Sequence, residues 1–478
     1  MKKFFSVVIG LLLISLASAQ EKQKDLSEAF DLVEVWLEAQ KDYEELPGIT
    51  ASVVEDQKIL WKDSFGKANL EEGVPTTPST LFSICSISKL FTSVAIMQLY
   101  DQGKLRLDDK ISDILPWYDL EQKYPHSGPI TVRGLLTHSS GLPREANFPY
   151  WTGPDFPFPE DQEIKDALSE QETLYPASRY FQYSNLGLTL LGEVVEEVSG
   201  IPYEQYVQEN ILEPLRLRQT RPHMPEELYG EELAVGYSAP MREGKREKIQ
   251  LFDAKGIQAA AGFSSNVEDL SNFASWQFRL LDTTATEILK PSTLRNMHNV
   301  HWMDPDFGTT WGLGFSVWKG PDGKKWVSHG GSCPGYRTVL QLNPATKRAY
   351  VVMINAGGTN PGKYASGIHK LLEEYQSAKT DSIASSTDLE DYTGFYSEQP
   401  WSSEVYVSPW KGKIALLNLP SDNPGGNLTL FKHIEGDTFR RIRDNGELGE
   451  TLTFERNEQG EVYRMERHGN YSPRITHD

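Results

Sequence analysis

Cysteine is scarce in this 478-residue chain, with Cys85 and Cys333 the only two. That count excludes a disulfide-dense scaffold and any cysteine-rich metal site. His298 and His301 lie three apart, but no carboxylate or cysteine pattern joins them; they read as surface histidines, and no metal is implied. Beyond the first residues no stretch is long and apolar enough to span a bilayer. Positive charge is the minority: 47 Lys and Arg stand against 67 Asp and Glu, a net charge of −20. A chain so acidic repels nucleic acid and anionic membranes, so neither is an expected partner. The acidic residues are scattered rather than gathered in a tail, which serves solubility.

What is present begins with a leader. Lys2 and Lys3, the apolar stretch Phe4 to Leu16 and the small residues Ala17-Ser18-Ala19 read as a signal peptide over 1–19. The mature chain is expected to start near Gln20, with a net charge of −22 once Lys2 and Lys3 are gone, and to be periplasmic or secreted. No cysteine sits at the cleavage site, so no lipid anchor is expected there. The two cysteines would then lie in an oxidising compartment.

Length points to two or three domains. Residues 26–45 have the period of an amphipathic helix, and 48–54 and 58–62 look like paired strands. Helical segments and loops dominate 80–300. Within them the Pro- and aromatic-rich stretch 148–159 is a loop, either overhanging a site or a plain surface insertion. Strands return at 311–318, 325–329, 335–342 and 348–354, and a helix covers 362–376. Residues 377–388 are polar, small and aperiodic, as in a linker. Short alternating strands then recur to the end, the pattern of a small antiparallel barrel. The expected fold is α+β: an antiparallel sheet flanked by helices with an inserted helical subdomain over 20–376, then an all-β barrel over 389–478.

The most informative local feature is Ser86-Ile87-Ser88-Lys89, which opens the apolar run Leu90 to Tyr100. On a helix, residues three apart share a face, so hydroxyl and amine would lie side by side. Apolar positions nearly all round that helix predict burial, and a buried lysine loses its charge more readily. A neutral amine beside a serine is a base beside a nucleophile. The Ser-x-x-Lys pattern also occurs at Ser64, Ser316 and Ser408. Gly66 and Pro409 disfavour a helix in the first and last, and the Ser316 copy alternates like a strand. Gly103 supplies a C-cap for the second alone.

Four further stretches accompany Ser86: Tyr183-Ser184-Asn185 before a helical run, Val327 to Ser332 on a strand, Ile130 to Pro143, and Ala260 to Ser265. With Ser-x-x-Lys, Tyr-x-Asn and a His-x-Gly strand in that order, residues 28–376 resemble the serine beta-lactamase-like superfamily. The branch is that of class C beta-lactamases, D-alanyl-D-alanine carboxypeptidases and family VIII esterases. The resemblance implies Ser86 as the acylated nucleophile, with Lys89 and Tyr183 sharing the proton work. A phenol is a poor base at its free pKa, so Tyr183 would need positive charge from Lys89. The resemblance further implies Asn185, His329 and Gly331 as substrate-binding residues, and the backbone N–H groups of Ser86 and Ser332 as the oxyanion hole. His138 belongs to a segment that resembles a packing element. No cofactor is implied. Tyr392-Thr393-Gly394-Phe395-Tyr396 gives the last ninety residues a resemblance to the lipocalin-like barrel often appended to this family.

The third motif departs from the family's Lys-Thr-Gly. His329-Gly330-Gly331 lacks both the fixed cation and the hydroxyl that suit a beta-lactam carboxylate. The expectation is weak beta-lactamase activity, with a D-amino-acid peptidase or carboxypeptidase type of reaction ahead of a broad-specificity esterase. A non-catalytic penicillin-binding or peptide-sensing module is the alternative of a different class. Substrates would be peptide, ester or beta-lactam small molecules; the residues leave the oligomeric state open. Under the same resemblance Cys85 precedes the nucleophile and Cys333 follows the oxyanion residue. If those two N–H groups converge, their neighbours come within bridging distance. Some carbapenem-hydrolysing class A relatives carry a disulfide at what look like equivalent motif positions. A Cys85–Cys333 bridge is therefore expected, with two buried free thiols as the alternative.

Overall fold

The computed structural model describes residues 26–124, 126–320, 322–381 and 388–477. The expected signal peptide, and positions 382–387 of the linker-like stretch, lie outside the described residues. The chain forms two compact units, one of Leu46–Gly362 and one that joins the N-terminal segment up to Glu45 with Lys363–Asp478.

The first unit is built on a nine-stranded sheet. In chain order its long strands are β1 (Gly48–Glu55) and β2 (Lys58–Asn69), with β3 (Val74–Pro75) beside β2. A separate pair, β4 (Phe82–Ser83) and β5 (Ser264–Ser265), stands apart. The sheet continues with β6 (Trp302–Met303), β7 (Thr310–Trp311), β8 (Ser316–Lys319), β9 (Lys325–Cys333), β10 (Tyr336–Asn343) and β11 (Arg348–Ile354). The spatial order is β3-β2-β1-β11-β10-β9-β8-β7-β6, and its long neighbours pair antiparallel. Early and late strands meet at the centre, where Val53 faces Tyr350 and Ala51 faces Val352. The chain between them supplies the inserted helices. The helix Val267–Asp282 packs on the sheet, with the Ser271 and Ser52 hydroxyls 2.7 Å apart.

The expected strand over 311–318 is broken into β7 and β8. Gly312 N donates to Phe315 O at 2.7 Å, and Gly314 takes a left-handed φ of +87°. A Cβ at Gly314 would lie 2.2 Å from Ser93 Oγ, so the turn nests against the Ser93 helix. His298 is also not a surface residue. It is buried, its Nε2 lies 2.9 Å from Gln277 Oε1, and its ring stands edge-on to Phe315.

In the second unit, strands β12 (Gly394–Ser397), β13 (Glu404–Trp410), β14 (Lys413–Leu419), β15 (Thr429–Glu435), β16 (Thr438–Ile442), β17 (Leu448–Arg456), β18 (Val462–Arg467) and β19 (Asn470–Ile475) close into a barrel. Its interior is filled by Tyr392, Tyr396, Phe431, Phe439, Phe454 and Met465 among others. The helix Ser27–Tyr43 belongs to this unit, and its Trp36 Nε1 donates to Ser421 O at 2.8 Å.

Candidate active site

Ser86 sits where a tight turn runs into a buried helix. Cys85 has a left-handed φ of +48°, a conformation uncommon outside glycine that strongly bends the chain just before the serine. The 3₁₀ turn Cys85–Ile87 then feeds the helix Ser88–Asp101, of which every residue from Ser88 to Leu99 is buried. Gly103 closes that helix as expected. Gly103 N donates to Tyr100 O and Lys104 N to Leu99 O, the paired bonds of a left-handed C-terminal cap. The other three Ser-x-x-Lys copies fall on or at the end of strands β2, β8 and β13.

Lys89 is 1% exposed, and its Nζ has three polar neighbours: Ser86 Oγ at 3.1 Å, Asn185 Oδ1 at 2.8 Å and Ala260 O at 2.7 Å. No carboxylate lies within ion-pair distance of it among the described residues. Burial lowers its pKa well below the ordinary lysine value; Glu145 opposes the shift and Arg144 adds to it. A neutral amine matches this set of neighbours. Its two N–H bonds serve the two pure acceptors, and its lone pair faces the one group that can donate, the Ser86 hydroxyl.

Tyr183 and Asn185 flank the start of the helix Asn185–Ser199. Ser184 caps that helix, its Oγ accepting from Gly187 N at 2.9 Å, so the segment serves as a helix start and a site together. His138 holds it from behind. Its Nδ1 accepts from Ser184 N at 3.1 Å, and its ring lies 4.3 Å from the Tyr183 ring. Lys89 Nζ and the Arg144 guanidinium each stand 5.0 Å from the Tyr183 ring centre. Burial pushes the Tyr183 phenol's pKa upward despite the nearby Ser86 hydroxyl and Arg144 charge. The phenol therefore keeps its proton, where the sequence pointed to a phenol made basic by Lys89.

Asn185 is oriented by Glu145. Its Nδ2 lies 2.9 Å from each Glu145 oxygen, and a carboxylate can only accept, so Oδ1 must turn to Lys89. Glu145 also accepts from the Tyr150 hydroxyl and pairs with Arg144 Nε at 3.1 Å.

His329 lies on β9, buried, with Nδ1 2.8 Å from Gly330 O. Burial pushes its pKa down to about 3, so the imidazole is neutral; with its proton on Nδ1, Nε2 is a buried acceptor. The third motif thus supplies no cation. Gly331 packs against the turn before Ser86: a Cβ there would lie 2.3 Å from Ile84 O and 2.2 Å from Thr338 Oγ1. Glycine lets β9 approach that turn, and a disulfide joins Cys85 to Cys333 beside it, with a Cα–Cα distance of 5.7 Å.

Ser86, Asn185 and Ser332 open onto a cleft of about 500 Å³, whose other lining residues include Arg144, Glu145 and Arg337. Trp151, Gly153 and Phe156 line it too, which puts the 148–159 loop at the cleft. Arg144, Glu145 and Arg337 carried no motif signal. The Pro143-Arg144-Glu145 sequence beside the Leu-Thr-His-Ser-Ser-Gly segment was the available clue for two of them.

An antiparallel sheet with an inserted helical part, and a serine, lysine and tyrosine gathered at the head of a buried helix, define the penicillin-binding-protein-like serine hydrolases as a class. Residues 36–372 match the family described as Beta-lactamase, and the chain belongs to it. It is 29% identical over 307 residues to penicillin-binding protein 4* of Bacillus subtilis (strain 168), covering 61% of this chain and 64% of that protein. It is 28% identical over 303 residues to beta-lactamase-like protein 2 of Dictyostelium discoideum, covering 61% and 53%. The structure of the octameric penicillin-binding protein homologue from Pyrococcus abyssi superposes with a TM-score of 0.64 at 25% identity, covering 93% of this chain and 99% of that one. The chain thus spans between half and two thirds of the length of these curated relatives. Among the described residues no helix is long and apolar enough to cross a membrane.

Proposed function

We propose that the protein is an exported serine hydrolase that cleaves amide or ester bonds through an acyl-enzyme. Its activity is of the D-amino-acid peptidase or carboxypeptidase type, with weak beta-lactamase activity. The observation that carries this reading is Lys89: buried, 3.1 Å from Ser86 Oγ and without a carboxylate to hold its charge. A structural lysine has no reason to occupy such a place, because burying an unpaired cation is costly.

In this reading Ser86 Oγ attacks the substrate carbonyl carbon as its proton passes to the Lys89 amine. The developing oxyanion is met by the backbone N–H groups of Ser86 and Ser332. Tyr183 gives its proton to the departing nitrogen or oxygen and is resupplied from the Lys89 ammonium, which returns the amine to neutrality. Water then attacks the acyl carbon by the reverse relay, releasing the acid and restoring Ser86. Asn185, held by Glu145, keeps the amine aligned and borders the bound substrate.

A fluorophosphonate probe followed by peptide mass analysis tests the reading. It should add its mass to the peptide containing Ser86, and Ser86→Ala should abolish both that adduct and hydrolysis. An unlabelled Ser86 in the folded protein would favour the peptide-sensing module. D-Ala-D-Ala peptides assayed beside p-nitrophenyl acetate and nitrocefin separate the three activities. Efficient turnover of the acetate alone would move the assignment to esterase, and nitrocefin turnover at the rate of a dedicated resistance enzyme would refute weak beta-lactamase activity. Export predicts a mature N-terminus at Gln20.

A further inference from the structure

Away from the cleft, the sheet unit holds another cavity, of about 570 Å³, that shares no lining residue with it. Its lining is basic: Arg216, Arg218 and Arg221 fall within six positions, and His223 adds a ring N–H. None of the three guanidiniums forms an ion pair among the described residues. Arg221 Nη1 donates to Gln219 O at 3.0 Å, and the Arg216 and Arg218 heads have no acceptor among the described residues. The acids nearby are engaged otherwise. Glu213, on the lining, accepts from Gln208 Nε2 at 3.1 Å. Asp269 accepts from the backbone N–H groups of Gln219 and Thr220, both at 2.8 Å, and from the Thr220 hydroxyl at 3.0 Å. In a chain with 67 acidic residues against 47 basic ones, three unmatched arginines around one hollow run against the prevailing charge.

The backbone under these arginines is fixed while their heads are free. The helix Tyr203–Val207 widens into a π-helical turn, Gln208–Leu212, a conformation that is rare and recurs at functional sites. Both ends of that turn, Gln208 and Leu212, line the cavity. The short helix Glu213–Leu215 then stops at Arg216, which takes a left-handed φ of +59° where glycine would be the relaxed choice. Beyond it, Asp269 clamps Gln219 and Thr220, and Arg221 exchanges both backbone bonds with Ser264, at 2.9 and 3.0 Å. Three like charges carried on one pinned segment repel each other, and an anion between them removes that cost.

We propose that this cavity is a binding site for a small ligand carrying two or more phosphate or carboxylate groups. The planar fork of a guanidinium matches either group, and three forks serve more than one. The volume lies in the range of small-molecule sites. Long polyanions such as nucleic acid are turned away by the charge of the whole chain. The site stands apart from Ser86 and does not depend on the acyl-enzyme reading.

Calorimetric titration of the full protein with tripolyphosphate and with citrate tests the proposal, at about 0.15 M salt so that long-range attraction is screened. At least one of the two should bind with a Kd of about 0.1 mM or tighter. Arg218→Gln and Arg221→Gln should each weaken binding about 10-fold, the worth of a charge-assisted hydrogen bond, and replacing all three arginines by Gln should remove it. Arg216→Gly separates binding from folding. Glycine relaxes the left-handed backbone, so the urea midpoint should hold while affinity falls. If the triple variant does not fold, Arg216→Gly decides alone. Binding of tripolyphosphate only, or of citrate only, assigns the ligand to phosphates or to carboxylates. Binding of neither overturns the inference. So does an affinity that survives in the folded variants, because the anion would then sit elsewhere on the protein.

Discussion

Two sets of buried ionisable groups, one in each unit, are treated in opposite ways. In the barrel unit Glu404, 5% exposed, accepts from the Tyr43 hydroxyl at 3.0 Å and faces His477 Nε2 at 2.6 Å, and buried Lys413 has Asp381 3.6 Å away. In the sheet unit Lys89 meets a hydroxyl, an amide oxygen and a carbonyl, but no acid. A buried charge that serves only structure is matched, because leaving it unmatched is expensive. A buried amine left unmatched sheds its proton and becomes a base. The pairing state of a buried ionisable group therefore separates architecture from chemistry here.

Two substitutions press on that contrast and carry the largest expected effects. Lys89→Met should cut hydrolysis by about 10²- to 10⁴-fold, the usual worth of a general base, while the urea midpoint holds or rises. Glu404→Leu should do the reverse at the level of stability, costing about 1–3 kcal/mol because Tyr43 and His477 lose their acceptor. If Lys89→Met instead unfolded the protein as readily as Glu404→Leu, Lys89 would be a structural cation and the contrast would be void.

The disulfide sharpens the same comparison, since Cys85 and Cys333 both lie in the sheet unit and the barrel has no cysteine. It closes a loop of 248 residues and joins the positions next to Ser86 and Ser332. Replacing both cysteines by serine should cost about 2–4 kcal/mol in unfolding free energy. It should also slow acylation of Ser86 by the fluorophosphonate, read as a rate under conditions where the variant is still folded. Lost stability with an unchanged acylation rate would confine the bridge to a structural role.

The sequence exposed the site through local signals and hid it where register decides. Ser86 and Lys89 were legible because three-residue spacing on an apolar helix fixes a shared face, and the decoys at Ser64, Ser316 and Ser408 carried their own disqualifying neighbours. The strands expected at 48–54, 325–329 and 348–354 announced themselves by β-branched and aromatic runs, and the second runs on to Cys333. The place of Arg337 at the cleft did not announce itself, because it comes from standing opposite Ser332, and pairing partners are not written locally. Glu145 was hidden for a similar reason: its part is to turn the Asn185 amide, forty residues away in sequence. The break at Gly312–Gly314 was missed because alternation outweighed two glycines whose need comes from Ser93 on a distant helix. The neutral amine was legible from the apolar run around Lys89, whereas the proton kept by Tyr183 was not, because its burial comes from parts of the chain far from Tyr-Ser-Asn.

The smallest expected effect concerns acid. His298 and His329 are both buried, and burial pushes each pKa down to about 3 from an ordinary value near 6.5. Between those limits the unfolded chain binds a proton at each position that the folded chain does not. Unfolding then takes up protons, so stability is highest above pH 6.5 and falls as the pH drops toward 3. Each histidine contributes at most about 1.4 kcal/mol per pH unit. Both lie in the sheet unit; the barrel strands and termini carry His433, His468 and His477 nearer the solvent. His298 is the cleaner probe because it stands outside the cleft, against Gln277 and Phe315. His298→Gln should make the decline of the urea midpoint between pH 6.5 and 4 shallower by close to one proton. An unaltered slope would mean that His298 takes up its proton in the folded state, and that water reaches the space between Gln277 and Phe315.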